Sequence, residues 1–266
     1  LEIRPLFFAT PAALKFMREQ LESNSLATKI EKLFPMEKFD EKSRPAPFSY
    51  PGSDCAIPGN PAPNSESRSA YKYEYEIITT TDALDKFLGR VKNIIAFDTE
   101  TTGLNYLDAR IVGLSIAIDS HTGAYIPIRH RIGNDDLFAE KTLAPNQMDI
   151  NDVYKHLMPI FTNSNIIKIG HNLKYDLHIL ANEGWDINKI APIDDTMLLS
   201  YILHGTLHGH GLDELAQKYL GHENISFASL FPPKTRNADM RFDDLDISVA
   251  APYAAEDASV CMALYD

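Results

Sequence analysis

The chain has 266 residues, enough to bury a sizeable core in one or two domains, and a formal net charge of −12, which argues against a protein gripping nucleic acid mainly through a basic surface. It does not exclude a nucleic-acid enzyme, because clustered acids that hold metal ions make a metal-free chain look more acidic than the working molecule. With 44% hydrophobic residues, no apolar run near the ~18 needed to span a bilayer, and only Cys55 and Cys261, the chain reads as soluble, without a membrane span or disulfide scaffold, and suited to a reducing cytoplasm.

The first residues lack the basic-then-apolar pattern of a secretory leader. The chain opens on Leu1 rather than Met, which predicts a fragment or a processed product. In residues 1–35, Leu14, Met17, Leu21, Ile30 and Leu33 recur at helical spacing among charges, Pro11 suits a first turn, and Ser23-Asn24-Ser25 marks a break. This predicts a helical tail with no core of its own. Residues 36–71 carry six of the sixteen prolines between Pro45 and Pro63, so a linker is expected there. From residue 72 the pattern becomes that of a globular domain. It predicts strands at Tyr73–Ile78, Ile94–Glu100, Arg110–Ile118, Ala124–Ile128 and Ile166–Gly170. Helices are predicted at Asp82–Val91 with Thr81 as cap, Asn151–Phe161, Asn172–Ala181, Asp195–Leu203 and Leu212–Leu220. A last helix is predicted over Asp244–Tyr265, with an interruption at Pro252. Strands first and helices after imply an α/β domain whose mixed sheet is flanked by helices. No internal repeat is visible.

Three clusters stand out. The buried run Ile94-Ile95-Ala96-Phe97 ends in Asp98-Thr99-Glu100. Residues i and i+2 of a strand share a face, so Asp98 and Glu100 form a like-charge pair with no Lys or Arg beside them in sequence. A divalent cation would explain the pair; a solvated turn is the alternative. The second cluster follows Gly170: Asn172 and Asp176 are one helical turn apart, read either as a site or as an N-cap with an exposed acid. In the third, Tyr253 and Asp257 share a face of an Ala-rich helix, with plain helix packing as the alternative. Taken together they supply four carboxylates and a phenol, a hard oxygen set that selects Mg²⁺ or Mn²⁺ rather than zinc. His204, His208 and His210 have no Cys or carboxylate at structural-zinc spacing.

These clusters, with the strings FDTETTGL, IVGLSIAID, AYIPI, IGHNLKYD, DDTMLLSYIL, LDELAQKYL and YAAEDA, resemble the proofreading 3′→5′ exonuclease domains of bacterial family A DNA polymerases, the DEDD-type subgroup with Tyr in its third motif. The resemblance covers residues 72–266 and implies a ribonuclease H-like fold. It makes the stretch LKFMREQLESNSL similar to the end of a preceding 5′-nuclease domain, and 36–71 similar to the interdomain linker. It implies two divalent cations, Mg²⁺ or Mn²⁺, held by Asp98, Glu100, Asp176 and Asp257, with Tyr253 orienting the attacking water. Substrate positioning falls to Thr99, Leu104, His171, Asn172, Tyr175 and Phe227, with core packing as the alternative for Leu104 and Phe227. Where some relatives place an Arg near Gly209, none is present. The implied partners are a single-stranded or frayed DNA 3′ end and a covalently linked polymerase domain, in a monomer of the bacterial cytoplasm acting at the nucleoid. The competing readings are an exoribonuclease of the same superfamily and a catalytically silent spacer beside a polymerase.

Overall fold

The computed structural model describes residues 72–133, 141–232 and 241–266; the expected helical tail at 1–35 and linker at 36–71 lie outside them. Among the described residues there are eight strands: β1 (Glu74–Ile77), β2 (Ile94–Thr101), β3 (Ile111–Asp119), β4 (Thr122–Pro127), β5 (Arg131–Ile132), β6 (Thr142–Leu143), β7 (Ile167–Gly170) and β8 (Ile193–Asp195). Six of them form one sheet in the order β1-β4-β3-β2-β7-β8, and β5 pairs only with β6. Within the large sheet β3 runs antiparallel to both neighbours, while β1, β4, β2, β7 and β8 run together. This is the ribonuclease H-like mixed sheet expected from the sequence. The β5–β6 ladder and β8 were not anticipated, because strands of two or three residues leave no periodic signal.

The helices are α1 (Thr81–Leu88), α2 (Ile150–Phe161), α3 (Leu173–Asn182), α4 (Thr196–His204), α5 (Leu212–Leu215) and α6 (Ile247–Tyr265). The cap of α1 is Thr80 rather than Thr81: its hydroxyl accepts from the Ala83 N–H at 3.3 Å. Leu84, Phe87 and Leu88 of α1 and Val153, Leu157 and Phe161 of α2 fill one sheet face with Ile95 and Phe97 of β2. Each such fully buried apolar side chain contributes about 1.5–3 kcal/mol.

The other sheet face is covered by α6. Ala250, Ala251, Ala254, Ala255 and Ala258 are all fully buried, so this helix approaches the sheet closely. A Cβ on Gly123 of β4 would sit 2.7 Å from Ser259 Oγ and 3.0 Å from the Ala255 carbonyl, so this approach requires glycine. Two expectations for the chain's last third are corrected. The stretch 216–220 is a widened π turn rather than a continuation of α5. The last helix begins at Ile247, capped by the Asp246 side chain, and runs through Pro252 unbroken. A mid-helix proline removes one backbone bond, the one that the Ser248 carbonyl four residues earlier would accept; the Tyr73 hydroxyl separately donates to the Pro252 carbonyl, and the neighbouring alanines are buried on the sheet.

Candidate active site

The alternation of β2 places Ile95, Phe97 and Thr99 on one face and Ala96, Asp98 and Glu100 on the other. Ala96 packs in a cluster with Ala258, Cys261 and Met262 of α6, so Asp98 and Glu100 project toward that helix. The β2–β3 register shifts between Glu100 and Thr101, a bulge at the point where the strand enters the site. Asp257 of α6 meets the pair: Asp98, Glu100 and Asp257 each present an oxygen within 4.8 Å of the others.

Burial is the main cause holding all three carboxyls well above their ordinary range. Mutual repulsion adds to it: Asp176, Glu100 and Asp257 act on Asp98, Asp257 and Asp176 on Glu100, and Glu256 and Asp213 on Asp257. Among the described residues, no Lys or Arg ion pair reaches these acids. Glu100 Oε1 is buried with no hydrogen-bond partner there. Three convergent carboxylates, one with an orphaned oxygen, fit a divalent cation, which would replace both the missing charge and the missing partner.

Asp176 of α3 is 2% exposed and lies close enough to raise Asp98 more than Glu100 or Asp257 does, though it is not one of the three whose oxygens meet within 4.8 Å. Its Oδ1 accepts from Thr99 N at 2.9 Å and Thr99 Oγ1 at 2.6 Å. Burial pushes its carboxyl up to about 7, against the pull of the two Thr99 bonds. Three of the four expected carboxylates therefore meet directly, and the fourth is moored beside them. Thr99, expected among the substrate contacts, spends its N–H and hydroxyl on Asp176.

The start of α3 corrects a second expectation. Asn172 does not cap the helix with its side chain; it stands in the left-handed region at φ 65°, ψ 42°, which Asn tolerates better than most residues. The cap comes from Asp195, which the sequence marks only as the start of its own helix. Asp195 accepts from Asn172 N (3.1 Å) and Leu173 N (2.9 Å) at α3, and from Met197 N (2.9 Å) and Leu198 N (3.3 Å) at its own helix α4. An Asp before an apolar run signals the cap of that run, but nothing local links it to α3. Asp195→Ala removes two caps at once and is expected to destabilise the domain by about 2–3 kcal/mol in a denaturant titration.

Tyr175 donates to the Gly103 carbonyl at 2.6 Å and pairs with Thr101 Oγ1 at 2.6 Å, which ties α3 to the loop after β2. Leu104, on that loop, is 95% exposed, so the core reading of it fails. His171 pairs through Nδ1 with Thr196 Oγ1 at 2.8 Å, and burial lowers its pKa. Tyr253 lies one turn before Asp257 in α6. Burial first, then Asp257, Glu100 and Asp98, push its phenol above its ordinary value, so the O–H stays protonated. The Phe227 ring is edge-on to Tyr253 (centroids 6.2 Å apart) and is partly exposed.

The 3′-5′ exonuclease family model of the DNA polymerase A group matches residues 75–266. The chain is 34% identical to DNA polymerase I of Pseudomonas aeruginosa over 206 residues, covering 76% of this chain and 21% of that protein. With DNA polymerase I of Rhizobium leguminosarum the identity is 36% over 208 residues, covering 74% and 20%. The chain thus spans about a fifth of the length of these relatives. Among solved structures, the exoribonuclease RNase D of Escherichia coli is 18% identical with a TM-score of 0.48, covering 72% of this chain and 43% of that one. No helix among the described residues is long and apolar enough to cross a membrane. By the match over most of its length, the chain belongs to the 3′-5′ exonuclease family.

Proposed function

We propose that residues 72–266 remove nucleoside monophosphates from single-stranded or frayed DNA 3′ ends, proofreading for a polymerase domain carried by the same longer protein. The observation that carries this reading is the trio Asp98, Glu100 and Asp257, with the orphaned Glu100 oxygen, beside the moored Asp176. In this reading the four acids hold two divalent cations, Mg²⁺ or Mn²⁺. When bound, such ions offset the carboxylate charge, lower the pKa of water and stabilise the leaving 3′-oxygen.

The chain's own residues supply position. Tyr253, kept protonated, orients the attacking water by a hydrogen bond rather than by taking its proton. Exposed Leu104 wedges against the terminal base from a loop braced by Tyr175 and Thr101. Asn172 and His171 line the path of the strand, and Phe227 stacks on a base, a contact worth about 1–3 kcal/mol. Such a wedge-and-stack site admits only unpaired ends, so it senses a mismatch without reading sequence. Residues 1–35 are assigned to the end of a preceding nuclease domain and 36–71 to its linker, in a cytoplasmic monomer.

The test is digestion of a 5′-labelled single-stranded DNA with Mg²⁺ or Mn²⁺, alongside EDTA and an RNA strand of the same sequence. A ladder shortening from the 3′ end, abolished by EDTA, is the expected result. A preference for RNA would move the assignment to an exoribonuclease, since the 2′-OH is the group that distinguishes the strands. No degradation of either strand would overturn it.

A further inference from the structure

Asp257 is preceded by a second acid that the chemistry above leaves unused. Glu256 is 2% exposed, yet no Lys or Arg pairs with it among the described residues. Its two oxygens are divided between two points of one loop. Oε1 accepts from His222 Nε2 at 2.8 Å, and Oε2 accepts from the Ile225 N–H at 2.6 Å. A buried carboxylate held only by a ring and an amide is costly to keep, so its placement calls for a positional reason. Two residues beyond Ile225 the same loop carries Phe227, which opens a single 3-10 turn, Phe227–Leu230. Phe227 has few other moorings: its ring meets Phe231 edge-on at 5.1 Å, Phe242 at 6.5 Å and Tyr253 at 6.2 Å, and it stays 39% exposed.

We propose that Glu256 is a positioning residue for the substrate strand: it clamps the loop from His222 to Phe227 onto α6, so that one helix presents the acid Asp257, the phenol Tyr253 and the ring that receives a base as a single unit. Successive residues of a helix point about 100° apart, which lets Asp257 face Asp98 and Glu100 while Glu256 faces the loop. The assignment rests on the exonuclease reading. It adds to it a residue that touches neither cation nor DNA but fixes the distance between the scissile phosphate and the stacked base.

The experiment is steady-state digestion of single-stranded DNA by the wild type, Glu256→Ala, Phe227→Ala and the double variant, with a thermal shift by Mn²⁺ on each. Glu256→Ala is expected to raise KM about tenfold with kcat changed less than about threefold, the size of one lost stacking contact. The Mn²⁺ shift should persist, because Asp98, Glu100 and Asp257 remain. The double variant should be no worse than Phe227→Ala alone, since both act through one ring. Glu256→Gln should recover wild-type KM, as its carbonyl can accept from Ile225 and its amide can donate to the other His222 tautomer. Additive effects in the double variant, or a loss confined to kcat, would overturn the clamp while leaving the exonuclease reading standing. An inactive wild type would overturn both. If Glu256→Ala does not fold, His222→Ala takes its place in the same cycle, with the same non-additivity expected and additivity again decisive against the clamp.

Discussion

Asp176→Asn will lower kcat on single-stranded DNA by at least about 10², the loss typical of removing one group that stabilises developing charge, while the protein stays folded. The substitution is close to isosteric. An Asn carbonyl can still accept both Thr99 bonds, now made to Asp176 Oδ1 at 2.9 and 2.6 Å, so β2 and α3 keep their junction. What disappears is the negative charge, which in the native protein is buried beside Asp98 and raises it. Removing that charge relieves repulsion when no cation is bound. The metal-free variant should therefore melt higher than the metal-free wild type above pH 7, where the native Asp176 must ionise in a dry site. A residue kept only for packing would give the opposite pair of results, full activity with unchanged or lower stability. The measurement is kcat at saturating DNA together with Tm in EDTA at pH 8. Activity within tenfold of wild type would remove Asp176 from the site.

The central strand and the late helix were legible because their signals are local. An apolar β-branched run ending in Asp98 and Glu100 keeps both acids on one face by the period of the strand, and Tyr253 and Asp257 share a face by the period of the helix. The Ala-rich character of α6 was legible too, but how closely it approaches the sheet shows only at Gly123. What could not be read is what depends on pairs of segments. Asp195 looks like the cap of its own helix, and only the parallel pairing of β7 with β8, Gly170 opposite Asp195, carries it to α3 as well. Glu256 looks like a helix surface acid until the loop at His222–Ile225 folds over it. Thr99 lies between two acids in the strand, and only the tertiary fold shows that its hydroxyl bonds Asp176 of α3. Helix ends drifted by a residue or more for a related reason: Thr80 and Thr81 are equivalent as local signals, and packing of Leu84, Phe87 and Leu88 selects the first.

Without metal, the protein will lose stability as pH rises from about 6.5 to 8.5, and a saturating divalent cation will flatten or reverse that slope. Asp98, Glu100 and Asp257 have folded pKa values raised well above their unfolded ones, and Asp176 is raised to about 7. A group shifted in this direction binds its proton more tightly in the native state. Its contribution is fully present below the unfolded value near 4 and is lost as pH climbs through the folded value. Each proton still held at a given pH tilts the curve by about 1.4 kcal/mol per pH unit. The acids with lowered pKa, such as Glu183 and Asp246, oppose this trend only near and below pH 4. Buried His130 and His171, whose pKa values are lowered, oppose it only below about 6.5. Buried Lys168, whose ammonium burial lowers to about 8, opposes it from about pH 8 upward, one group against the four raised acids, so the carboxylates set the slope of the window above 6.5. Cations need these same acids ionised, so their binding strengthens with pH and stabilises only the folded state that assembles the site. The gap between Tm in Mn²⁺ and Tm in EDTA should accordingly widen from pH 6.5 to 8.5, and Asp176→Asn should narrow the slope of the EDTA curve. A metal-free Tm that rises across this window would mean that the four acids are not packed as neighbours.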